Sequence, residues 1–399
     1  MSRIDEELHD ELESLRTEGL FRQLRRVNSP QSPRLEIAGR AFLNFSSNDY
    51  LGLANHSVLK EAAIKAIEKF GTGAGASRLV CGSLAPHHEL EEVLAEFKGV
   101  EAALCFSTGY AAALGAITAL TGKGDILILD KLVHASIVDA AHLSGATLRI
   151  FAHNNLESLE KKLQWAVAHT KESTHRKARV LIVTESLFSM DGDLAPLRNL
   201  VDLKDKYGAW LMVDEAHATG LYGEMRRGLA EELGVSNRIE IQMGTLGKAL
   251  GSAGGYIAGS RQLIDLLINR ARSFIFSTAP VPAAAAAATA AIAVVRSVEG
   301  EKLRQRLWTV VEQIKREVVG AGYVLPSVRS AIIPLILGNE EKASAGAELL
   351  RERGLYVPSI RFPTVPRGKA RLRLTASATH SAADIAELGA ALAELKRRN

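Results

Sequence analysis

The sequence predicts an α/β protein built on a mainly parallel sheet covered by helices, followed by a smaller α+β unit. Short apolar runs at 102–106, 126–129, 147–151, 180–184 and 210–213 are separated by helix-length segments, the pattern of strands buried on both faces. After about residue 290 this alternation gives way to longer charged amphipathic stretches. A chain of 399 residues with 47% hydrophobic content can bury a sizeable core and usually divides into two domains.

Taken in order, residues 3–27 read as an amphipathic helix with Leu8, Leu12 and Leu15 on one face, ended by the basic cluster Arg22, Arg25 and Arg26. Residues 28–33 are a breaker segment, 41–45 a short strand and 57–70 a helix. That helix leads into Gly71, Gly73 and Gly75, where the backbone must turn or approach something closely. A further helix covers 86–97, and the alternating strands and helices follow. Another strand, 255–258, comes after the glycine-rich stretch around Lys248. Beyond it lie a long charged helix at 292–319, an alternating strand at 332–337, a helix at 341–353, a strand at 371–375 and a last helix from 381. The division expected is an N-terminal helix and arm (1–40), a large domain (41–290) and a small C-terminal α+β domain (291–399).

Composition narrows the function. Forty-nine basic against 45 acidic residues leave a net charge of only +4, with no dense Lys/Arg stripe for a nucleic-acid backbone. Anionic small substrates suit this balance. Cys81 and Cys105 provide neither a disulfide framework nor metal-ligand spacing, and the charged first ten residues hold no apolar signal core. A cytoplasmic protein without metal is expected. The apolar stretches 102–120 and 279–295 are punctuated by Ser107, Thr108 and Gly109 and by Pro280 and Pro282, which favours core helices over membrane spans.

Three motifs carry chemistry. Asp214-Glu215-Ala216-His217 directly follows the 210–213 strand, where open α/β sheets place their ligand crevices; the same carboxylate also fits a plain cap on the next segment. Thr245-Leu246-Gly247-Lys248-Ala249-Leu250-Gly251 sets a lysine among glycines that admit a bulky planar molecule. It is no nucleotide loop, because Gly244 stands three residues before Gly247 and Ala249 replaces the hydroxyl that would hold magnesium. Ser107-Thr108-Gly109-Tyr110 opens a helix after a strand, and the free N–H groups of such a start, with two hydroxyls, form an anion site. Together these supply what pyridoxal 5′-phosphate needs: an amine for its aldehyde (Lys248), a carboxylate for its pyridine nitrogen (Asp214) and a cradle for its phosphate (Ser107 to Tyr110). His134, just beyond the 126–129 strand, is placed to stack on the ring.

Longer runs extend the pattern: Asn44-Phe45-Ser46-Ser47-Asn48-Asp49-Tyr50-Leu51-Gly52-Leu53, Gly71-Thr72-Gly73-Ala74-Gly75-Ala76-Ser77-Arg78 and Phe188-Ser189-Met190-Asp191-Gly192-Asp193, with the Asp214 and Lys248 motifs and Arg371-Leu372-Arg373-Leu374-Thr375. In order and spacing the whole chain resembles the α-oxoamine synthase family of fold-type-I pyridoxal phosphate enzymes. The resemblance implies a large domain with a mainly parallel seven-stranded sheet and a smaller C-terminal domain. It implies that Lys248 holds the cofactor aldehyde, Asp214 pairs with the pyridinium, His134 stacks on the ring, and His217 and Ser189 neighbour its 3′-oxygen. Gly109, Tyr110 and Thr245 would contact the phosphate, and Ser277 and Thr278 would reach the phosphate of a second subunit, implying a homodimer. Arg373 would pair with the amino acid's α-carboxylate, with Asn48 in the same pocket and Thr364 a further substrate contact.

The family joins an amino acid to an acyl thioester with loss of CO2. The branch that this sequence follows most closely takes L-alanine and a pimeloyl thioester, carried on coenzyme A or an acyl carrier protein, in biotin synthesis; there Arg25 would approach the distal carboxylate of the pimeloyl chain. Other branches join glycine to acetyl or succinyl groups, or serine to palmitoyl. An aminotransferase shares the fold and the lysine–aspartate pair.

Overall fold

The uninterrupted apolar runs become buried strands, because a strand covered on both faces has no polar side to show. In the computed structural model, which describes residues 2–169, 178–325 and 329–398, the chain begins α1 (Arg3–Thr17), β1 (Arg34–Ile37), β2 (Arg40–Asn44), α2 (Ser57–Phe70), α3 (Ala85–Lys98), β3 (Ala102–Phe106) and α4 (Gly109–Leu120). It continues with β4 (Ile126–Asp130), α5 (Ala135–Ser144), β5 (Thr147–Phe151), α6 (Leu156–His169), β6 (Val180–Glu185), α7 (Leu197–Tyr207), β7 (Trp210–Asp214) and the single turn α8 (Leu229–Glu232). There follow β8 (Ile241–Thr245), β9 (Gly255–Gly259), α9 (Arg261–Arg270), the single turn α10 (Arg272–Ile275), α11 (Pro282–Arg296) and α12 (Val298–Gly320). The last elements are β10 (Ile332–Gly338), α13 (Glu340–Glu352), β11 (Leu355–Tyr356), β12 (Ser359–Ile360), β13 (Ala370–Thr375) and α14 (Ala382–Arg398).

Two compact units result. One comprises Leu51–Ser189 and Asp193–Arg304, the other Met1–Tyr50, Met190–Gly192 and Gln305–Asn399. The larger unit holds a seven-stranded sheet in the order β3-β9-β8-β7-β6-β4-β5. Its strands β8, β7, β6, β4 and β5 pair in parallel, while β9 runs antiparallel to both β8 and β3. Leu104, Leu127, Leu129, Val183, Met212 and Ile257 belong to one buried cluster with Ala112, Ala113 and Ala116 of α4. Each fully buried large side chain of this kind contributes roughly 1.5–3 kcal/mol. The alanines let α4 lie close against the strands.

The smaller unit joins both ends of the chain. Antiparallel β1 and β2 take β11 alongside β2 in parallel, and β13 lies between β10 and β12. Thr375 N–H donates to the Phe45 carbonyl and Ala378 N–H to that of Tyr50, both at 2.8 Å. Among the described residues no single helix is long and apolar enough to cross a membrane.

Several elements differ from the sequence reading. The first helix stops at Thr17 instead of 27, because Gly19 at φ +67° takes the left-handed conformation that ends helices; Arg22, Arg25 and Arg26 therefore lie on an irregular segment beyond it. The helix expected at 292–319 is two helices, with Ser297 in extended backbone between α11 and α12 and a 76° bend there. Strand β8 escaped notice because Gln242 and Gly244 interrupt its apolar run; Gln242 is nevertheless buried and donates to the Ser236 carbonyl. The segment 1–40 groups with the C-terminal residues through β2 and β11, and the expected 290/291 boundary falls inside α11.

The sheet closes tightly where α4 begins. A Cβ on Gly255 would stand 2.5 Å from Gly109 Cα and 2.6 Å from Gly109 N. Gly255→Ala is expected to cost about 1–3 kcal/mol by overpacking, read as a lower urea midpoint with an unchanged slope.

Candidate active site at the carboxyl ends of the parallel strands

Strands that run parallel end on one side, so the segments after β3, β4, β6, β7 and β8 carry Ser107, His134, Ser189, Asp214 to His217, and Lys248 to one edge of the sheet. Lys248 and His217 meet there, Nζ to Nε2 at 2.8 Å. Asp214, the last residue of β7, is buried and accepts a 2.8 Å hydrogen bond from Ala216 N–H at Oδ1. Burial pushes its carboxyl above the ordinary range, while the Lys248 ammonium opposes that shift.

His134 caps α5, its Nδ1 accepting from Ser136 N–H at 3.2 Å. A neutral ring with that acceptor carries its proton on Nε2. Desolvation holds the pKa of His134 below the ordinary value, reinforced by Lys248 and opposed by Asp214, although the residue keeps an exposed surface.

The anion cradle is built from two strand ends. Thr108 caps α4 and accepts from Ala111 N–H at 3.0 Å. The first amides of any helix lack carbonyl partners within it, which leaves those of Gly109 and Tyr110 for an anion. Thr245, at the end of β8, presses against this start: a Cβ on Gly109 would stand 2.5 Å from Thr245 Cγ2. Thr245 Oγ1 is buried with no hydrogen-bond partner among the described residues. A phosphate fits this arrangement, since it would satisfy both the orphaned hydroxyl and the helix start. The Tyr110 hydroxyl is engaged elsewhere, donating to Asp139, which leaves its N–H for the cradle.

Two features were not legible beforehand. Glu185 ends β6 in register with Asp214 and is buried, its Oε1 without a hydrogen-bond partner among the described residues, and the nearby backbone amides of His134 and Ser189 favour its charged form. Burial and the neighbouring Asp214 push its pKa up to about 8. The only sequence signal was its place at a strand's end. Behind the Asp214 to His217 turn, Lys98 donates to Glu215 Oε2 at 2.6 Å, with both side chains 1% exposed, and Glu215 Oε1 accepts from Ala230 N–H. Burial alone would lower the Lys98 pKa, but Glu215 outweighs it and the net shift is upward.

Ser277 and Thr278 follow α10, where Thr278 bridges to Ser77. In the smaller unit Arg373 is buried on β13, donating to Asn48 Oδ1 and to Thr375 Oγ1, each at 3.1 Å. Burial takes the nearby Tyr50 hydroxyl up to about 12, against the pull of Arg373. Arg371, two residues away, is engaged by Asp191 at 2.6 Å. Arg25 and Thr364 lie exposed on irregular segments of this unit, Arg25 near enough to Arg351 to join burial in lowering that residue's pKa.

The family model of class I and II aminotransferases matches residues 40–392. An 8-amino-7-oxononanoate synthase of Geotalea daltonii is 48% identical over 389 residues, covering 98% of this chain and 97% of that protein. One from Geobacter sulfurreducens is 50% identical over 386 residues, covering 96% of each. Among solved structures, a variant of the serine palmitoyltransferase of S. paucimobilis, with bound PLP-myriocin aldimine, superposes with a TM-score of 0.90 at 31% identity, covering 98% of this chain and 97% of that one.

Lys98→Met is expected to leave the Glu215 carboxylate buried without its cation, at about 3–5 kcal/mol. Chemical denaturation should show that loss, and Lys98→Met combined with Glu215→Gln should recover part of it.

Proposed function

This chain belongs to the class I and II aminotransferase family, in its α-oxoamine synthase branch, and we propose that it condenses L-alanine with a pimeloyl thioester to give 8-amino-7-oxononanoate for biotin synthesis. The observation that carries this reading is the Lys248 amine 2.8 Å from His217, next to buried Asp214 and an anion cradle. Near full-length identity of 48–50% to proteins named for that reaction supports it. The Cα–H bond of alanine breaks and its proton leaves, a bond forms between Cα and the thioester carbonyl carbon, and the carbon–sulfur bond breaks to release, once protonated, the thiol of coenzyme A or of an acyl carrier protein. The bond from Cα to the α-carboxylate then breaks to give CO2, and a proton takes its place on Cα.

Pyridoxal 5′-phosphate, when bound, supplies an aldehyde that captures amines and a conjugated ring that takes up the electron pair left on Cα. Lys248 would hold that aldehyde, and its amine would move the proton at Cα. Asp214 would keep a proton on the ring nitrogen, and His134 would lie on the ring as a neutral imidazole. His217 and Ser189 would bond to the 3′-oxygen. Thr245 Oγ1, the hydroxyls of Ser107 and Thr108 and the amides of Gly109 and Tyr110 hold the phosphate, joined by Ser277 and Thr278 of the second subunit in a homodimer. Arg373, with Asn48 beside it, binds the amino acid's carboxylate through its rigid fork. Arg25 meets the distal carboxylate of the pimeloyl chain, and a cation there would reject an apolar tail by losing its partner. Thr364 is a further substrate contact. The setting is the cytoplasm, with small-molecule substrates.

A matrix of alanine, glycine and serine against pimeloyl-, succinyl-, acetyl- and palmitoyl-coenzyme A, with pimeloyl-acyl carrier protein alongside, tests the substrate pair. Thiol release should be fastest for alanine with a pimeloyl donor. Preference for glycine with acetyl, or serine with palmitoyl, would move the enzyme to another branch, and amino-group transfer without thiol release would make it an aminotransferase. Separately, Lys248→Ala should abolish turnover and remove the visible absorption band of covalently held cofactor. A variant that keeps the band would overturn the role given to Lys248.

A further inference from the structure

We propose that His153 is a positioning residue, a charged clip that ties the turn carrying His134 to the segment carrying Ser189. This rests on the reading above, in which those two residues touch the cofactor. His153 follows β5, and its ring stands between two carboxylates: Nδ1 lies 2.9 Å from Asp130 Oδ1 and Nε2 lies 2.8 Å from Asp193 Oδ2. A carboxylate can only accept, so bonds to both require a proton on each ring nitrogen. The ring is therefore an imidazolium, and the two bonds are charge-assisted.

Each carboxylate is itself part of a site segment. Asp130, buried at the end of β4, accepts from Leu132 N–H at 2.8 Å and from Asn154 N–H at 2.9 Å, which fixes the turn leading to His134. Asp193 accepts from Asn154 Nδ2 at 3.0 Å, and its carbonyl accepts from Phe188 N–H at 3.0 Å, which closes the chain around Ser189. The rings of Phe188 and His153 pack edge to face, centroids 4.4 Å apart at 89°. Asn154 holds a left-handed backbone at φ +53°, a conformation asparagine tolerates. The carboxylates facing the ring thus come from β4 and from the segment after Ser189, while its own segment adds the neutral Asn154.

Burial would lower the His153 pKa, but the bonds to Asp130 and Asp193 outweigh it and take it to about 10. The folded value lies above the ordinary one, so the clip is present throughout the neutral range and is lost as pH rises through about 10.

The test uses the full-length, cofactor-loaded protein with His153→Gln and Asp193→Asn. Side-chain NMR at about pH 8, where an ordinary histidine is neutral, should show both ring nitrogens of His153 protonated, and Asp193→Asn should lower its titration by about 1–3 units. Amide exchange at Leu132, Asn154 and Ser189 should quicken by about tenfold or more in both variants. Pyridoxal phosphate affinity should fall about tenfold, with its alkaline limit displaced to lower pH in Asp193→Asn and kcat falling more than the KM for alanine rises. If His153→Gln does not fold, Asp193→Asn carries every readout. A neutral ring at about pH 8, or unchanged exchange and cofactor affinity, would overturn the clip. The NMR and exchange readouts need no substrate, so a wild-type protein that shows the clip yet does not condense alanine would sink the functional reading alone.

Discussion

A parallel sheet ends its strands on one side, and this one ends β6, β7 and β8 on Glu185, Asp214 and Thr245. Every other feature of the larger unit's site follows from that constraint. The turns that leave those ends supply the nucleophile, the imidazoles and the anion cradle, since open α/β sheets place their ligand crevice at the carboxyl ends of the strands. The apolar runs fix where each strand stops, and the residue just past the last buried position becomes a site residue.

Gathering polar groups at one edge has an energetic consequence. Asp214, Glu215, Glu185 and Lys98 are all buried, and isolated charges so placed would be strongly unfavourable. The structure offsets this in two ways. Glu215 is neutralised by Lys98 and hydrogen-bonded by Ala230, so the turn between Asp214 and His217 is anchored from behind. Glu185 and Asp214 sit side by side with raised pKa values, Lys248 compensating the pair from the open side.

In the smaller unit the same logic governs β13. Its two buried arginines, Arg371 and Arg373, stand two residues apart and so share one face of the strand. Arg371 is matched by Asp191, and Arg373 bonds to Asn48 and Thr375.

The residues themselves determined a great deal: the strand runs at 102–106, 147–151 and 210–213, the helix at 57–70, and the Asp214 and Lys248 motifs at strand ends. Those features are local, set by apolar periodicity and by glycine and hydroxyl placement. Interrupted patterns misled, as at β8, where Gln242 is tolerated inside because it finds a carbonyl, and at Ser297, where a single extended residue splits a continuous charged stretch into two helices. Strand order, the register that sets Glu185 beside Asp214, the orphaned Thr245 hydroxyl against the start of α4, and the imidazole of His153 between Asp130 and Asp193 were decided by tertiary structure alone. Each brings together groups from separate strand ends, and no local pattern states which strands will be neighbours.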